Sequence, residues 1–151
     1  MDVHPLIRHA PDPDHPGWWS WDLKEAEDRF NAVLGKLLVR PDGPGRAVCR
    51  MFPEPRHANL GDMVHGGAML TFIDMAFFAG GRIAGADVIR AVTLDCHVSF
   101  LGRGRIGMPL DAEVELLRET GSLVFLQGRV VQEEETVAGF SGSLRKHRRA
   151  R

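Results

Sequence analysis

The chain has 151 residues, 44% of them hydrophobic and 26% charged, with a net charge of -1. That length suits one compact domain with its own core, and the near-neutral balance excludes the broad cationic field used to hold nucleic acid. The two cysteines, Cys49 and Cys96, form no Cys-x-x-Cys and no closely spaced disulfide framework, and the start lacks an apolar leader core, so the chain reads as cytoplasmic.

Residues 1–29 are rich in proline and tryptophan and read as an N-terminal arm rather than a core element. Trp18, Trp19 and Trp21 within it form either a packed lid or subunit contact, or an aromatic wall for a ligand. "WDLKEAEDRFNAVLG" predicts a short helix ending near Gly35. "KLLVRPDGPGRAVCRMF" predicts a hairpin around a Pro-Asp-Gly-Pro-Gly turn, and "RHANLGDMVHGG" a loop leading into a helix. From Gly66 to Gly81 the only charged residue is Asp74. This run is shorter than the ~20 apolar residues a bilayer requires, so it predicts a buried central helix and no membrane partner.

Strands follow. In "AVTLDCHVSFL", Val92, Leu94, Cys96, Val98 and Phe100 alternate with Thr93, Asp95, His97 and Ser99, the pattern of a half-buried strand. "LDAEVELL", "LVFLQGRVVQ" and "TVAGFSGSLRKH" continue the set across short turns, which predicts antiparallel pairing. The expected architecture is α+β, a curved antiparallel sheet of five to six strands wrapped around one long helix, over residues 30–147. Residues 148–151 end a basic tail, "RKHRRAR", which reads as a solvated terminus.

Three familiar patterns fail on context. "GRGRIG", Gly102 to Gly107, matches Gly-x-Gly-x-x-Gly, but Pro109 and another strand follow where a dinucleotide site needs a helix. The histidines show neither His-Glu-x-x-His nor a cluster with cysteine, so no metal is expected. "GFSGS" is out of register for a serine nucleophile elbow.

Asp74 is the anomaly. An unpaired buried carboxylate costs several kcal/mol, so it is either satisfied by a polar neighbour for structure or kept for chemistry. Upstream, "HGG" opens the helix, where free N–H groups and the positive end of the helix dipole suit a carbonyl oxygen gaining negative charge. Gly66 and Asp74 lie eight residues apart, about 12 Å along a helix. Donor and base must each lie about 3 Å from the reacting centre. One helix cannot serve one carbonyl with both, whereas two antiparallel copies across a homodimer can.

The pattern Asn59, Gly61, His65, Gly66, Gly67 and Asp74, with "VTLDCHVSFL" before an Arg-bearing loop, resembles the hotdog-fold acyl-CoA thioesterases of the PaaI-like branch of the 4-hydroxybenzoyl-CoA thioesterase superfamily. The resemblance implies the hotdog fold, a homodimer joined sheet edge to sheet edge, often a homotetramer, and hydrolysis of an acyl-CoA thioester without a cofactor. It implies that Asp74 is the nucleophile or the general base and that the Gly66 N–H polarises the thioester carbonyl. Asn59 would orient water and substrate, His65 would support the arrangement, and Thr93 would position the water. Asn59 and Gly66 would come from one subunit, Asp74 and Thr93 from the other. Strict alternation, however, sets Thr93 on the polar face, so it either reaches the subunit seam or lies on the surface. Gly67, Arg103 and Arg105 are candidate substrate contacts, because coenzyme A phosphates favour arginine, and Arg145 to Arg149 are further candidates. The acyl group is open between aromatic and fatty. Rival readings are an acyl-CoA binding or sensing protein of the same fold, a helix-dimerising structural module and an enoyl-thioester hydratase.

Overall fold

The computed structural model describes residues 1–147. The basic residues beyond them, including Arg148 and Arg149, lie outside the described residues. One long helix, α1 (Gly66–Ile83), packs against an antiparallel sheet whose strands come from both sides of it in sequence. In chain order the strands are β1 (Ile7–Arg8), β2 (Trp19–Ser20), β3 (Asp22–Leu23), β4 (Leu37–Pro41), β5 (Arg46–Met51), β6 (Ala91–Phe100), β7 (Leu110–Glu119), β8 (Leu123–Gln132) and β9 (Glu135–Lys146). The main sheet runs β2-β4-β5-β7-β8-β9-β6, every neighbour antiparallel, while β1 and β3 pair apart from it.

The expected hairpin is β4–β5, whose turn reverses through Gly43 and Gly45 at positive φ, where a side chain would be strained. The predicted short helix is a 3-10 turn, Phe30–Leu34, closed by Gly35. "GRGRIG" is a loop running into β7, with no helix to receive a phosphate.

The helix buries one stripe, Met69, Phe72, Ile73, Ala76, Phe77 and Gly80, at the i, i+3, i+4, i+7 spacing of a single face. Phe72 and Phe77 are fully buried, each contributing roughly 2–3 kcal/mol of apolar burial. Gly80 meets the sheet so closely that a Cβ there would stand 2.7 Å from Val114 Cγ2. Gly142 is equally tight: its Cβ would stand 2.6 Å from the Asp95 carbonyl oxygen and from Phe77. Backbone cannot yield as a flexible side chain can, so Gly142→Ala is expected to lower stability by about 1–3 kcal/mol in urea unfolding.

The helix is central as expected, but Asp74, read as buried within it, is half-exposed, and Leu70 and Gly67 on the face away from the sheet are exposed. Three further expectations need correction. The strand read as half-buried, β6, is the last strand of the sheet and is exposed along most of its length on both faces. The N-terminal stretch read as an arm outside the core delivers Ile7, Trp21 and Ala26 to buried positions, and β2 adds a two-residue seventh strand to the five or six expected.

That stretch is fastened by polar contacts. Asp12 accepts from Lys36 Nζ at 2.8 Å and pairs with His15 Nδ1 at 2.7 Å. The Lys36 contact first, and His15 second, hold the Asp12 carboxyl at about 2, below its ordinary 3.8. A carboxylate with a depressed native pKa stabilises fully above its unfolded pKa and loses that contribution as pH falls toward the native value. The melting-temperature gap between the native protein and Asp12→Asn is therefore expected to be constant above about pH 5 and to close between about pH 4 and pH 2.

Candidate active site

Two groups of site residues form, one at the helix start and one at mid-helix. At the start, His65 caps α1: its extended backbone precedes the first turn and its Nδ1 accepts the Gly67 N–H at 2.8 Å. Accepting at Nδ1 requires that nitrogen to be unprotonated. The Gly67 donor is thus spent on the cap, while the Gly66 N–H has no acceptor among the described residues. The Phe100 ring flanks Gly66, its Cζ 3.6 Å from where a Cβ would stand.

Asn59 shapes the loop ahead of the cap. Its Oδ1 accepts the Gly61 N–H at 2.8 Å and the Met63 N–H at 3.1 Å, leaving its amide NH₂ toward solvent and available. The loop is tied in turn to the Arg-bearing segment: Val64 N–H donates to the Gly104 carbonyl at 2.8 Å, and Met63 bridges to Arg105. Arg103 and Arg105 therefore stand beside the loop that leads into the helix. Their side chains differ. Arg105 pairs with Glu133 at 3.0 Å and its backbone N–H donates to the buried Gln132, whose amide in turn holds the Arg105 and Met108 carbonyls. Arg103 is exposed with no ion pair among the described residues. Arg145 is the penultimate residue of β9, and Lys146, its last, pairs with Glu119 at 2.7 Å.

At mid-helix, Thr93 Oγ1 donates to Asp74 Oδ1 at 2.6 Å. Thr93 reaches the carboxylate because β6 is not regular. Its register against β9 slips between Thr93, opposite Leu144, and Asp95, opposite Ser143, leaving Leu94 as an extra residue. A bulge of this kind reverses which residues share a face. Thr93 is turned to the helix side with Cys96, opposite Gly142, and Val98, opposite Phe140; Asp95, His97 and Ser99 face away. The unbroken alternation expected from sequence is thereby corrected. Asp95 accepts from Ser143 Oγ at 2.8 Å.

Cys96 is a neighbour that sequence reading missed. Partial burial first, then the charges of Asp74 and Asp95, push its thiol up, which makes it a poor nucleophile beside the carboxylate. A groove of 530 Å³ opens against Asp74, walled on one side by the N-terminal stretch.

Within one chain the two groups stay apart. Gly66 and Asp74 sit on one unbroken helix, so about 12 Å of axial rise separates them.

Such a helix, carrying a Thr-held carboxylate and a free first-turn N–H inside an antiparallel sheet, is the hotdog arrangement, and the profile of the thioesterase superfamily matches residues 61–138. That is just over half of the 151 residues, and the chain belongs to this family of thioesterases. Human acyl-coenzyme A thioesterase 13 is 28% identical over 100 residues, which are 64% of this chain and 68% of that protein. Among solved structures, a mutant of the phenylacetic acid degradation protein PaaI from Thermus thermophilus aligns with TM-score 0.66 and 26% identity, over 78% of this chain and 98% of its own. The E. coli PaaI protein aligns with TM-score 0.65 and 25% identity, over 77% of this chain and 87% of its own. No helix among the described residues is long and apolar enough to cross a membrane.

Proposed function

We propose that this protein hydrolyses an acyl-CoA thioester to the free acid and coenzyme A, at a site completed by two subunits. The observation that carries the reading is the Thr93–Asp74 hydrogen bond on the helix face the sheet leaves uncovered. It fixes one carboxylate oxygen and leaves the other for chemistry. The similarity to acyl-coenzyme A thioesterase 13 supports the substrate class.

The arrangement supports the following sequence. The thioester carbonyl oxygen accepts the Gly66 N–H of one subunit, which is placed to stabilise the oxyanion. Asp74 of the other takes a proton from a water that adds to the carbonyl carbon, with Thr93 Oγ1 holding the carboxylate and Asn59 NH₂ orienting the incoming groups. The tetrahedral intermediate collapses, the carbon–sulfur bond breaks, and the departing thiolate takes up the proton. If Asp74 attacks the carbonyl itself, the carbon–sulfur bond breaks and the coenzyme A thiolate leaves a mixed anhydride; water then opens it, freeing the acid and Asp74, and the thiolate takes up the proton released. Arg103, beside the helix-leading loop, is the better placed of the two loop arginines for a coenzyme A phosphate, since Arg105 already answers to Glu133.

The proposed homodimer joins β6 to β6. An exposed edge strand of ten residues invites pairing, and on it Val92, Leu94 and Phe100 are 46%, 55% and 54% exposed. Light scattering in solution reads whether two such dimers pair again into a tetramer. The two unpaired cysteines, Cys49 and Cys96, suit a reducing cytoplasm.

The testing experiment is free-thiol release from acetyl-, octanoyl-, benzoyl- and phenylacetyl-CoA. Turnover of any of them supports hydrolysis; tight ester binding without turnover would replace it with the binding-protein reading.

A further inference from the structure

The groove beside Asp74 has an origin that the catalytic assignment does not explain. Its apolar wall is Leu6, Ile7, Trp21, Leu23, Met75 and Phe78. Four of these come from residues 1–29, which lie wholly outside the matched 61–138. The other two are on the helix: Met75 follows Asp74, and Phe78 lies one turn beyond it on the same face.

The N-terminal stretch is built to hold that position. Ile7 pairs with Leu23 and Arg8 with Asp22, and Lys24 N–H donates to the Leu6 carbonyl at 2.7 Å. Arg82, near the helix end, donates to the Asp2 carbonyl at 2.8 Å, and Trp21 N–H to the Leu37 carbonyl at 2.8 Å. The wall is therefore fastened to the helix at one end and to the sheet at the other.

We propose that this groove receives the acyl group of the thioester, and that the N-terminal stretch makes the enzyme selective for apolar acyl groups larger than acetyl. The proposal rests on the thioesterase reading above. A volume of 530 Å³ lined by these six apolar side chains, with Asp74, His4, Arg29 and Asn31 as its polar lining, suits an organic ligand with an apolar body and a polar reacting end. The acyl group leaves the carbonyl at Asp74 and runs toward the C-terminal end of the helix along Phe78, under Leu6 and Leu23. Coenzyme A lies in the opposite direction.

The test compares kcat/KM for acetyl-, octanoyl- and phenylacetyl-CoA in the native protein, Leu6→Asp and Phe78→Ala. Leu6 is 37% exposed, so a carboxylate there should be tolerated by the fold while facing the groove. Leu6→Asp is expected to lower the octanoyl-to-acetyl or the phenylacetyl-to-acetyl ratio about tenfold, and which ratio falls tells chain from ring. Phe78→Ala, which opens the groove from the helix side, is expected to shift the ratios toward the bulkier ester, and it decides alone if Leu6→Asp does not fold. Native turnover with ratios within about twofold in both variants would overturn the groove assignment and leave the thioesterase reading standing. No native turnover of any ester removes both.

Discussion

Asp74→Asn is expected to lower kcat on the best acyl-CoA ester by about 10²- to 10⁴-fold with little change in KM, the loss typical when a general base is removed. The substitution is nearly isosteric. Thr93 Oγ1 still finds an oxygen acceptor in the amide, so the contact that organises the mid-helix group survives. Asp74 is half-exposed on the uncovered stripe and belongs to no ion pair among the described residues, so removing its charge leaves nothing buried and unpaired. Steady-state kinetics beside circular dichroism separates lost chemistry from lost fold. Activity within about tenfold of native would show that the carboxylate serves structure.

The second large effect is expected at Gly66→Pro. Gly66 is the first residue of α1, where proline is tolerated because its N–H makes no intrahelical bond. His65 is extended, with ψ 138°, as the residue before proline must be. The nearest ring atom of Phe100 stands at ordinary contact distance from a new Cβ. The change thus removes one N–H donor and little else. A loss of about 10²- to 10³-fold in kcat is expected, the usual cost of deleting an oxyanion donor. Gly66→Ala, which keeps the N–H, should retain most activity. Equal losses in the two variants would mean that bulk at the helix start matters and the donor does not.

Much of this was legible because each signal is local. The single charge between Gly66 and Gly81 marked the catalytic candidate, and the glycines before it marked the helix start. The turn signals at Pro41–Gly45, Glu119–Ser122 and Glu133–Glu135 fall between the strands they were read to separate, each overlapping a strand by one residue. What was hidden was nonlocal. The bulge at Leu94 inserts a residue with no turn signal in the sequence, yet it decides that Thr93 faces Asp74. The neighbour of β6 is β9, not the next strand in the chain, so its exposure as a sheet edge could not be read from alternation. Trp21 and Ile7 sit in proline-rich surroundings that read as an arm; Ile7 pairs with Leu23 inside that stretch, Trp21 N–H reaches the Leu37 carbonyl outside it, and both side chains join the core cluster. The helix itself looked uniformly apolar because an exposed Leu70 has the same hydropathy as a buried one.

The claim on which the rest depends is that each site takes Gly66 from one subunit and Asp74 from the other. Mixing inactive Asp74→Asn with inactive Gly66→Pro, unfolding the subunits and reassembling them together, tests it directly. Random pairing makes half of the dimers mixed, and each mixed dimer has one intact site of two, so activity should return to about a quarter of native. A mixture that stays as inactive as its parents, with mixed dimers demonstrably present, would place the whole site within one chain and contradict the account.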